Sequence, residues 1–460
     1  MKVRFIIKMK RIFLYLFIIC ACAWTAACSD DDKFTTSPTA LLTFSVDSVK
    51  MDTVFSTVGS RTYDFWVYNH SSRGVRLQSV HLRQGNQTGF RVNVDGSYLD
   101  NALGSVANDL EVRSGDSIRV FVELTAPRNN QPVPQLIEDQ LIFTLESGRQ
   151  QYVTLWGHSW DALICDSIIV RRDTLIQSTT PIVVMKGIRV DSAATLSLKN
   201  TTLYFHDRAG IDVYGTLVAD SAVLRGDRLD RIFSYLPYDR LPGQWRGVRF
   251  FPSSYENMLV ATQIRNAEDG IVCDSSALLT DKQRLYMERS AVHNSSGTGL
   301  RAINSWVGLL RCLFSNAAGD CVAFYGGAVV MDRCTLAQFN AVGSGRGAAL
   351  RFTNFHGNAP CSLHQMMMTN SIVTGYDADV VMGEALEGDS TAAFSYYFEN
   401  CLLRTPALED TVNCKNIIWE TPKDSVQGEQ HFRTVESHDM IYDFHLDSLS
   451  NAKGWGCYDD

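Results

Sequence analysis

A short motif recurs through the second half of the chain, and this periodicity constrains the fold more than any other feature. The motif is a small polar residue, then any residue, then an apolar one. It begins at Thr201, Ser221, Thr262, Ser290, Cys312, Cys334, Ser371 and Cys401. Successive copies lie 20, 41, 28, 22, 22, 37 and 30 residues apart, so the shortest spacings cluster near 20–22. A fixed period in this range indicates stacked structural repeats.

A second motif runs in phase with the first and places a turn residue before an apolar strand. It occurs as Gly210-Ile211, Gly247-Val248, Gly270-Ile271 and Gly299-Leu300, and we expect Asp320-Cys321 and Asp379-Val380 to occupy the same positions. A third strand is visible at residues 215–219. About 22 residues per repeat with up to three short strands predicts a right-handed parallel β-helix over residues 159–458. A leucine-rich repeat or a propeller fits these spacings less well.

The cysteines support this prediction. Stacked coils lie about 4.8 Å apart, so equivalent residues form ladders inside the helix. Cys312, Cys334 and Cys401 share a position with serines and threonines, and we expect them to be buried thiols that pack as small apolar side chains. Nine of the twelve cysteines follow Cys28, and no C-x-x-C pair occurs. Whether any cysteines form disulfides stays open.

Residues 41–158 change to period-two alternation. Apolar residues alternate with polar ones in five segments, and turn signals such as Asp95-Gly96 and Ser147-Gly148 separate them. Short alternating strands with this spacing predict a β-sandwich. The span resembles the immunoglobulin-like modules of the abnormal-spindle/hydin group, through Val67-Tyr68-Asn69 and the closing segment 153–157. The resemblance implies a spacer or a binding platform.

The N-terminus has the features of an export signal. Five basic residues precede an uncharged apolar run at 12–23, and small residues lead into Cys28. The segment resembles a lipobox, which implies a signal peptide over 1–27 and lipid attachment at Cys28. An uncleaved membrane anchor is the alternative, although 17 residues are short for a spanning helix.

The polar linker at 28–40 suggests where the protein is displayed. Ser29-Asp30-Asp31-Asp32 resembles the acidic export tag of Bacteroidetes lipoproteins. This resemblance implies an outer-membrane, lipid-anchored protein exposed at the cell surface. The other reading is an ordinary solvated acidic linker.

Two further segments extend the resemblance to the repeat region. Segment 241–248 resembles the "P-G-x-W-x-G-I" entry strand of Bacteroidetes right-handed parallel β-helix repeat lipoproteins. Segment 442–456 resembles the last coil of such proteins. The resemblance covers about 160–458 and implies the fold, but no activity.

The charge of the chain limits its partners. The net charge is −8, and it is near −13 once the five basic residues of the signal are removed. An acidic protein of this kind is not expected to bind nucleic acid. We expect a membrane partner through the lipid at Cys28, a polysaccharide or a surface protein as ligand, no metal and no cofactor.

A long insertion at 227–245 holds the candidate ligand-binding residues. They are Arg228, Asp230, Arg231, Tyr235, Tyr238, Asp239, Arg240 and Trp245. Aromatic rings flanked by Asp and Arg suit sugars, because rings stack on sugar faces and charged groups bind hydroxyls. The alternative is that Phe233, Leu236 and Pro237 only cap the first coils.

Catalytic motifs are missing from the sequence, so no catalytic residue is predicted. The nearest carboxylate pair is Asp377 and Asp379, and Asp379 has a turn position. We expect a non-catalytic binding or adhesion module. A β-helix polysaccharide lyase or glycoside hydrolase is the alternative, and a purely structural surface component is a third. An enzyme should place carboxylates, or a carboxylate with Lys or Arg, at one register on adjacent coils, and the sequence shows no such register.

Overall fold

The computed structural model describes residues 33–231, 237–343, 345–388 and 390–458. The predicted signal peptide, Cys28 and the acidic residues up to Asp32 lie outside these residues. The chain divides into two compact units. One ends at Pro127 and resumes over Leu136–His158, and the other comprises Arg128–Gln135 and the chain from Ser159 onward. Within the described residues, no helix has the length and apolar character needed to cross a membrane.

The first unit is built from short strands with an inner apolar side. They are β1 (Thr43–Phe44), β2 (Ser48–Phe55), β3 (Tyr63–Tyr68), β4 (Val75–Leu82), β5 (Phe90–Val94), β6 (Ser97–Tyr98), β7 (Val106–Val112), β8 (Ser117–Leu124), β9 (Gln135–Leu145) and β10 (Gln150–Trp160). A 3-10 turn, Asn101–Leu103, precedes β7.

These strands form two five-stranded sheets, in the orders β1-β3-β8-β5-β6 and β2-β10-β9-β4-β7. Alternation decides which side chains point inward: Ile118, Val120, Val122 and Leu124 of β8 are buried, and the residues between them are not. Both sheets contribute to one apolar core. The predicted β-sandwich is therefore confirmed, while the kinship with abnormal-spindle/hydin modules remains a prediction.

The second unit contains the remaining strands. They are β11 (Leu163–Val170), β12 (Thr174–Ile176), β13 (Ile182–Val190), β14 (Thr195–Phe205), β15 (Ile211–Val213), β16 (Thr216–Gly226), β17 (Val248–Phe250), β18 (Asn257–Val260), β19 (Gln263–Arg265), β20 (Ile271–Cys273), β21 (Leu285–Glu288), β22 (Ala291–Ser295), β23 (Leu300–Leu310), β24 (Leu313–Ala317), β25 (Val322–Asp332), β26 (Thr335–Gln338), β27 (Leu350–Thr353), β28 (Phe355–His356), β29 (Ala359–Pro360), β30 (Leu363–Thr369), β31 (Ile372–Gly375), β32 (Val381–Glu384), β33 (Phe394–Arg404), β34 (Cys414–Glu420), β35 (Phe432–Glu436) and β36 (Ile441–Leu446). Two 3-10 turns lie at Tyr238–Arg240 and Gly428–His431.

Twenty-two of these strands form one sheet in which each strand pairs in parallel with a strand of the next coil. Each full coil passes through three faces. β15, β17 and β20 lie on the first face, β18 and β21 on the second, and β19 and β22 on the third. The interior is a continuous apolar core. The all-β fold class predicted from the repeats, a sandwich followed by a parallel β-helix, is confirmed.

The corner between the second and third faces explains the recurring motif. At this corner one residue adopts a left-handed conformation, as in Asn200, Arg311 and Asn400 with φ of 46°, 54° and 54°. The residue that follows turns inward, and the side chains of Thr262, Ser290 and Ser371 each donate to the carbonyl two positions before them. Ser371 Oγ donates to Thr369 over 2.7 Å. The position is therefore occupied mostly by small side chains, several of which carry a donor.

Thiols fill the same position in three coils. Cys312, Cys334 and Cys401 are fully buried, and each Sγ lies 3.3–3.5 Å from the carbonyl oxygen two residues earlier. The predicted ladder of packed thiols is confirmed, and no disulfide joins cysteines of the described residues. One copy of the motif was misaligned, because Ala222 pairs with Thr201 and occupies the inward position predicted for Ser221.

The end of the chain differs from the predicted last coil. β35 and β36 pair antiparallel and lie outside the 22-stranded sheet. Their apolar side chains, Phe432 and Phe444, pack with Phe339 and Ile372 of the third face in a second apolar cluster. The tail therefore covers the third face instead of extending the helix.

Candidate functional site

The insertion at 227–245 holds the predicted ligand-binding residues, and its charges are paired with one another. Arg228 donates to both carboxylate oxygens of Asp230, at 2.9 and 2.6 Å, and both side chains are largely buried. Arg231 donates twice to Asp239, at 2.9 and 2.6 Å. Each of these four groups would have to leave an existing partner to bind a ligand.

The two described aromatic residues of the insertion are also engaged. Trp245 is fully buried, with its ring stacked on Phe205 at 4.3 Å and its N–H donating to the carbonyl of Arg265. The ring of Tyr238 lies beneath the guanidinium of Arg228, 3.4 Å from its centroid. The expectation that Trp245 offers a ring to a sugar is wrong, because the side chain belongs to the core.

The rest of the insertion is tied to the chain around it. Arg240 donates to the carbonyl of Asp439 at 2.6 Å, and its own carbonyl accepts from Asn294. Tyr235 lies outside the described residues, as do Phe233 and Leu236. The described part of the insertion is thus held by internal bonds.

The first face of the β-helix carries charged and aromatic side chains in register. We name the outward surface of β13, β15, β17, β20, β23, β25, β27 and β32 the arginine face. One row of it consists of Arg189, Asp212, Arg249, Val272, Arg301, Ala323, Arg351 and Met382. Arginine thus recurs on every second coil, a repeat of about 9.6 Å.

Aromatic rings stack beside this row on the first coils. The rings of Tyr214 and Phe251 are stacked with centroids 4.0 Å apart. The guanidinium of Arg189 lies 5.0 Å from the Tyr214 ring, and that of Arg249 lies 5.0 Å from the Phe251 ring. Arg249 also donates to Asp274 at 2.9 Å, and this bond raises the pKa of its guanidinium. Each ring of this stacked pair therefore has a guanidinium beside it.

Carboxylates bridge neighbouring coils at the edge of the arginine face. Asp320 accepts the N–H of Ala348 at 2.7 Å and the Nε–H of Arg351 at 2.7 Å, a bond that raises the pKa of the guanidinium. Asp269 repeats the arrangement one pair of coils earlier, accepting a backbone N–H of the next coil at 2.8 Å and contacting Arg301 at 3.5 Å. Both carboxylates therefore have partners on the following coil.

Sequence reasoning missed this register for a specific reason. It aligned Asp320 and Asp379 with Gly299, whereas the strand pairing places Cys321 and Val380 opposite that glycine. Both aspartates lie one residue earlier and point outward. A Cβ on Gly299 would lie 2.4 Å from the Cys321 carbonyl oxygen, so the glycine position is fixed by close approach of the next coil. Charged side chains at one register on adjacent coils are nevertheless present, as Arg189, Asp212 and Arg249 show.

A second group that the sequence did not reveal is a buried ion pair near the end of the helix. Arg404 and Glu420 form it, with 6% and 1% of their side chains exposed. Glu420 also accepts from Thr374 Oγ1 at 2.7 Å and the Gly428 N–H at 2.5 Å, and His431 Nε2 lies 3.5 Å away. Burial alone would raise the pKa of Glu420, but these donors together hold it below its ordinary value.

No metal site is evident among the described residues. Within 33–231, 237–343, 345–388 and 390–458, no three His, Cys, Asp or Glu side chains are grouped as metal ligands. The predicted absence of a metal or cofactor remains a prediction.

Comparisons with known proteins find distant structural likenesses. No protein-family model and no curated protein matches the chain. The catalytic unit of a GH87 α-1,3-glucanase from Streptomyces thermodiastaticus is similar at 10% identity and TM-score 0.30, over 78% of this chain and 89% of that one. An ASH/PapD-like domain of human CEP192 is similar at 16% identity and TM-score 0.18, over 28% and 90%.

A third solved structure shares a shorter span. A family 123 glycoside hydrolase from Clostridium perfringens is similar at 8% identity and TM-score 0.19. The match covers 26% of this chain and 26% of that one. The assignment of the fold rests on the strand pairing, and nothing about the activity of this chain follows from these likenesses.

Proposed function

We propose that this protein is a surface-exposed lipoprotein whose β-helix binds glycan without cleaving it. The observation that carries the proposal is the arginine face, where cations recur every second coil beside stacked rings. Guanidinium groups donate to hydroxyl and carboxylate oxygens in fixed directions. Aromatic rings offer flat apolar surfaces that match the C–H faces of sugars. A repeating polymer suits a surface that itself repeats.

Loops leave this face at both ends of its strands. Segments 274–284 and 354–362 follow its strands, and segment 340–348 precedes β27. Loops held by a rigid scaffold are where binding residues concentrate. At one of them His356 lies edge-to-face with Tyr325 at 5.0 Å, so an exposed ring is placed beside the arginine row. These loops give the proposed site its specificity.

The lipid anchor is the second part of the proposal. Lipid attachment at Cys28 would tether the chain to the outer membrane, and the acidic residues after it would direct it to the cell surface. The support for this part is the sequence pattern alone: a basic segment, an apolar run and small residues before the cysteine.

The test is retention and depolymerisation of a polysaccharide panel by the mature chain. Wild-type protein should retain at least one glycan, and Arg301→Ala and Tyr325→Ala should each weaken retention about tenfold or more. Lys199→Ala and Tyr397→Ala, on the second face, are matched controls and should bind as the wild type does. Equal losses in both pairs would contradict binding at the arginine face.

A β-helix lyase or hydrolase is the second candidate, and one observation favours it. Carboxylates contact arginines of the following coil, Asp269 with Arg301 and Asp320 with Arg351. Against it, each carboxylate already accepts a backbone N–H and contacts an arginine. Release of shortened or unsaturated products from the panel, lost in Asp320→Asn, would establish the enzyme and refute the non-catalytic proposal.

A further inference from the structure

A pocket lies where the last coils meet the 3-10 turn Gly428–His431. It has a volume of about 230 Å³ and is lined by Gly375, Tyr376, Arg404, Gln427, Gly428, Glu429 and Gln430. A drug-sized ligand needs about 300 Å³ or more. The space equals that of about eight waters at roughly 30 Å³ each. The pocket is therefore sized for one small ring.

The wall of the pocket is held rigidly from behind. Arg404 is 5% exposed, and its Nε–H donates to the carbonyl of Asp377 at 2.6 Å. Its Nη1 contacts Glu420 and donates to Gln427 Oε1 at 3.2 Å. Such a guanidinium keeps its orientation when a ligand arrives, so little entropy is lost on binding.

The charges around the pocket select against an anion. The positive charge of Arg404 is balanced by the buried carboxylate of Glu420. The other charged side chain of the lining is Glu429, which is exposed and negative. A ligand with its own negative charge would approach this carboxylate without a compensating cation in the lining.

The remaining groups offer both donors and acceptors to a neutral ligand. Gln430 is an exposed amide, and its Oε1 accepts the backbone N–H of Gln427 at 3.2 Å. Tyr376 adds a half-buried ring, whose hydroxyl is bonded to Ser437 Oγ at 2.6 Å and whose orientation is fixed by Phe339 at 5.0 Å. Together these groups provide a ring that can stack on a sugar and polar atoms that can hydrogen-bond to its hydroxyls.

We infer that this pocket binds a single neutral sugar ring, as a terminal or branching unit of the glycan. The inference rests on the proposed function for the nature of the ligand, and adds a site with its own specificity. The pocket lies near one end of the arginine face. Arg404 lines the pocket, and its carbonyl accepts the N–H of Val380, the residue before β32. One glycan chain can thus reach both sites.

The experiment is a calorimetric titration of the mature chain with free monosaccharides. The probes are glucose, galactose, mannose, N-acetylglucosamine and N-acetylgalactosamine, with glucuronate as the anionic comparison. At least one neutral sugar should bind, and glucuronate should bind at least tenfold more weakly. Glu429→Gln and Gln430→Ala should each raise the Kd of the neutral sugar at least tenfold. The matched exposed controls, Glu409→Gln and Gln365→Ala, should leave it unchanged.

Each outcome separates this site from the arginine face. Retention of polysaccharide without binding of any monosaccharide would overturn the pocket and leave the proposed function standing. Monosaccharide binding that survives Glu429→Gln and Gln430→Ala but is lost in Arg301→Ala would also overturn it. Tighter binding of glucuronate would refute the neutral ligand. Binding of neither sugar nor polysaccharide would refute the proposed function and the pocket together.

Discussion

Glu420→Gln is expected to destabilise the β-helix strongly, because it removes one charge of a pair that is almost completely buried. The exposed fractions of the Arg404 and Glu420 side chains are 6% and 1%. Leaving a buried charge without its partner costs about 3–5 kcal/mol. At about 2 °C per kcal/mol for a domain of this size, Tm should fall by about 6–10 °C.

The assay is differential scanning calorimetry of the mature chain, read at the transition of the β-helix. Glu409→Gln is the matched control, an exposed carboxylate on the same part of the chain, and should shift Tm by less than about 1 °C, since such surface changes cost within about 0.5 kcal/mol. The double variant Glu420→Leu/Arg404→Met should be more stable than Glu420→Gln, because no charge is left unpaired.

The pH dependence provides an independent check. The folded-state pKa of Glu420 lies below its ordinary value of 4.5, so the carboxylate stabilises the fold above that value. This stabilisation is lost as the pH falls through the lowered folded-state pKa. The difference in Tm between wild type and Glu420→Gln should therefore shrink in acid. A loss below about 1 kcal/mol at pH 7, or a difference that grows in acid, would refute the reasoning.

Other predictions concern single side chains. Cys334→Ser should change the free energy of unfolding by less than about 1.5 kcal/mol, because serine fills this position in other coils. Cys334→Leu should lower the free energy of unfolding by about 1–3 kcal/mol, because the larger side chain overpacks the core. Urea denaturation measures both. Burial raises the pKa of the Cys273 thiol to about 12. Iodoacetamide at pH 8 should therefore label half-buried Cys165 in the native chain but not Cys273, as measured by mass spectrometry. Equal labelling of the two thiols before denaturation would contradict the packing. Trp245→Ala should lower the free energy of unfolding by about 3–5 kcal/mol, because it leaves a cavity in the core. Glycan retention per folded molecule should stay unchanged. A selective loss of retention would show that Trp245 does contact the ligand. Cys28→Ala should abolish metabolic labelling with palmitate, and labelling that persists would exclude lipid attachment at this residue.

The coil architecture could be predicted from sequence because the backbone repeats. A left-handed corner residue followed by an inward donor produces the same short motif at Ser371 and at Cys401. The motif does not depend on the length of the neighbouring loops. The arginine face could not be predicted, since its partners come from different coils separated by loops of unequal length. Asp320 and Arg351 are 31 residues apart, and a shift of one residue in the alignment hides their pairing.

Local composition was a poor guide to exposure. The insertion around Trp245 combines rings and charges, which is equally typical of a binding loop and of a loop that anchors itself. Only the pairing of Arg228 with Asp230 and the stacking of Trp245 on Phe205 distinguish the two. The buried Glu420 gave no signal either, because its partners come from three separate segments.

The corner between the second and third faces also limits how such a protein can diversify. One residue in the left-handed conformation makes this corner in coil after coil, followed at once by an inward-pointing residue. Adding a residue there would turn that side chain outward and break the ladder. The longer segments leave the chain elsewhere, at the two ends of the first-face strands. New loops can therefore be gained beside the arginine face while the opposite corner keeps every coil in register.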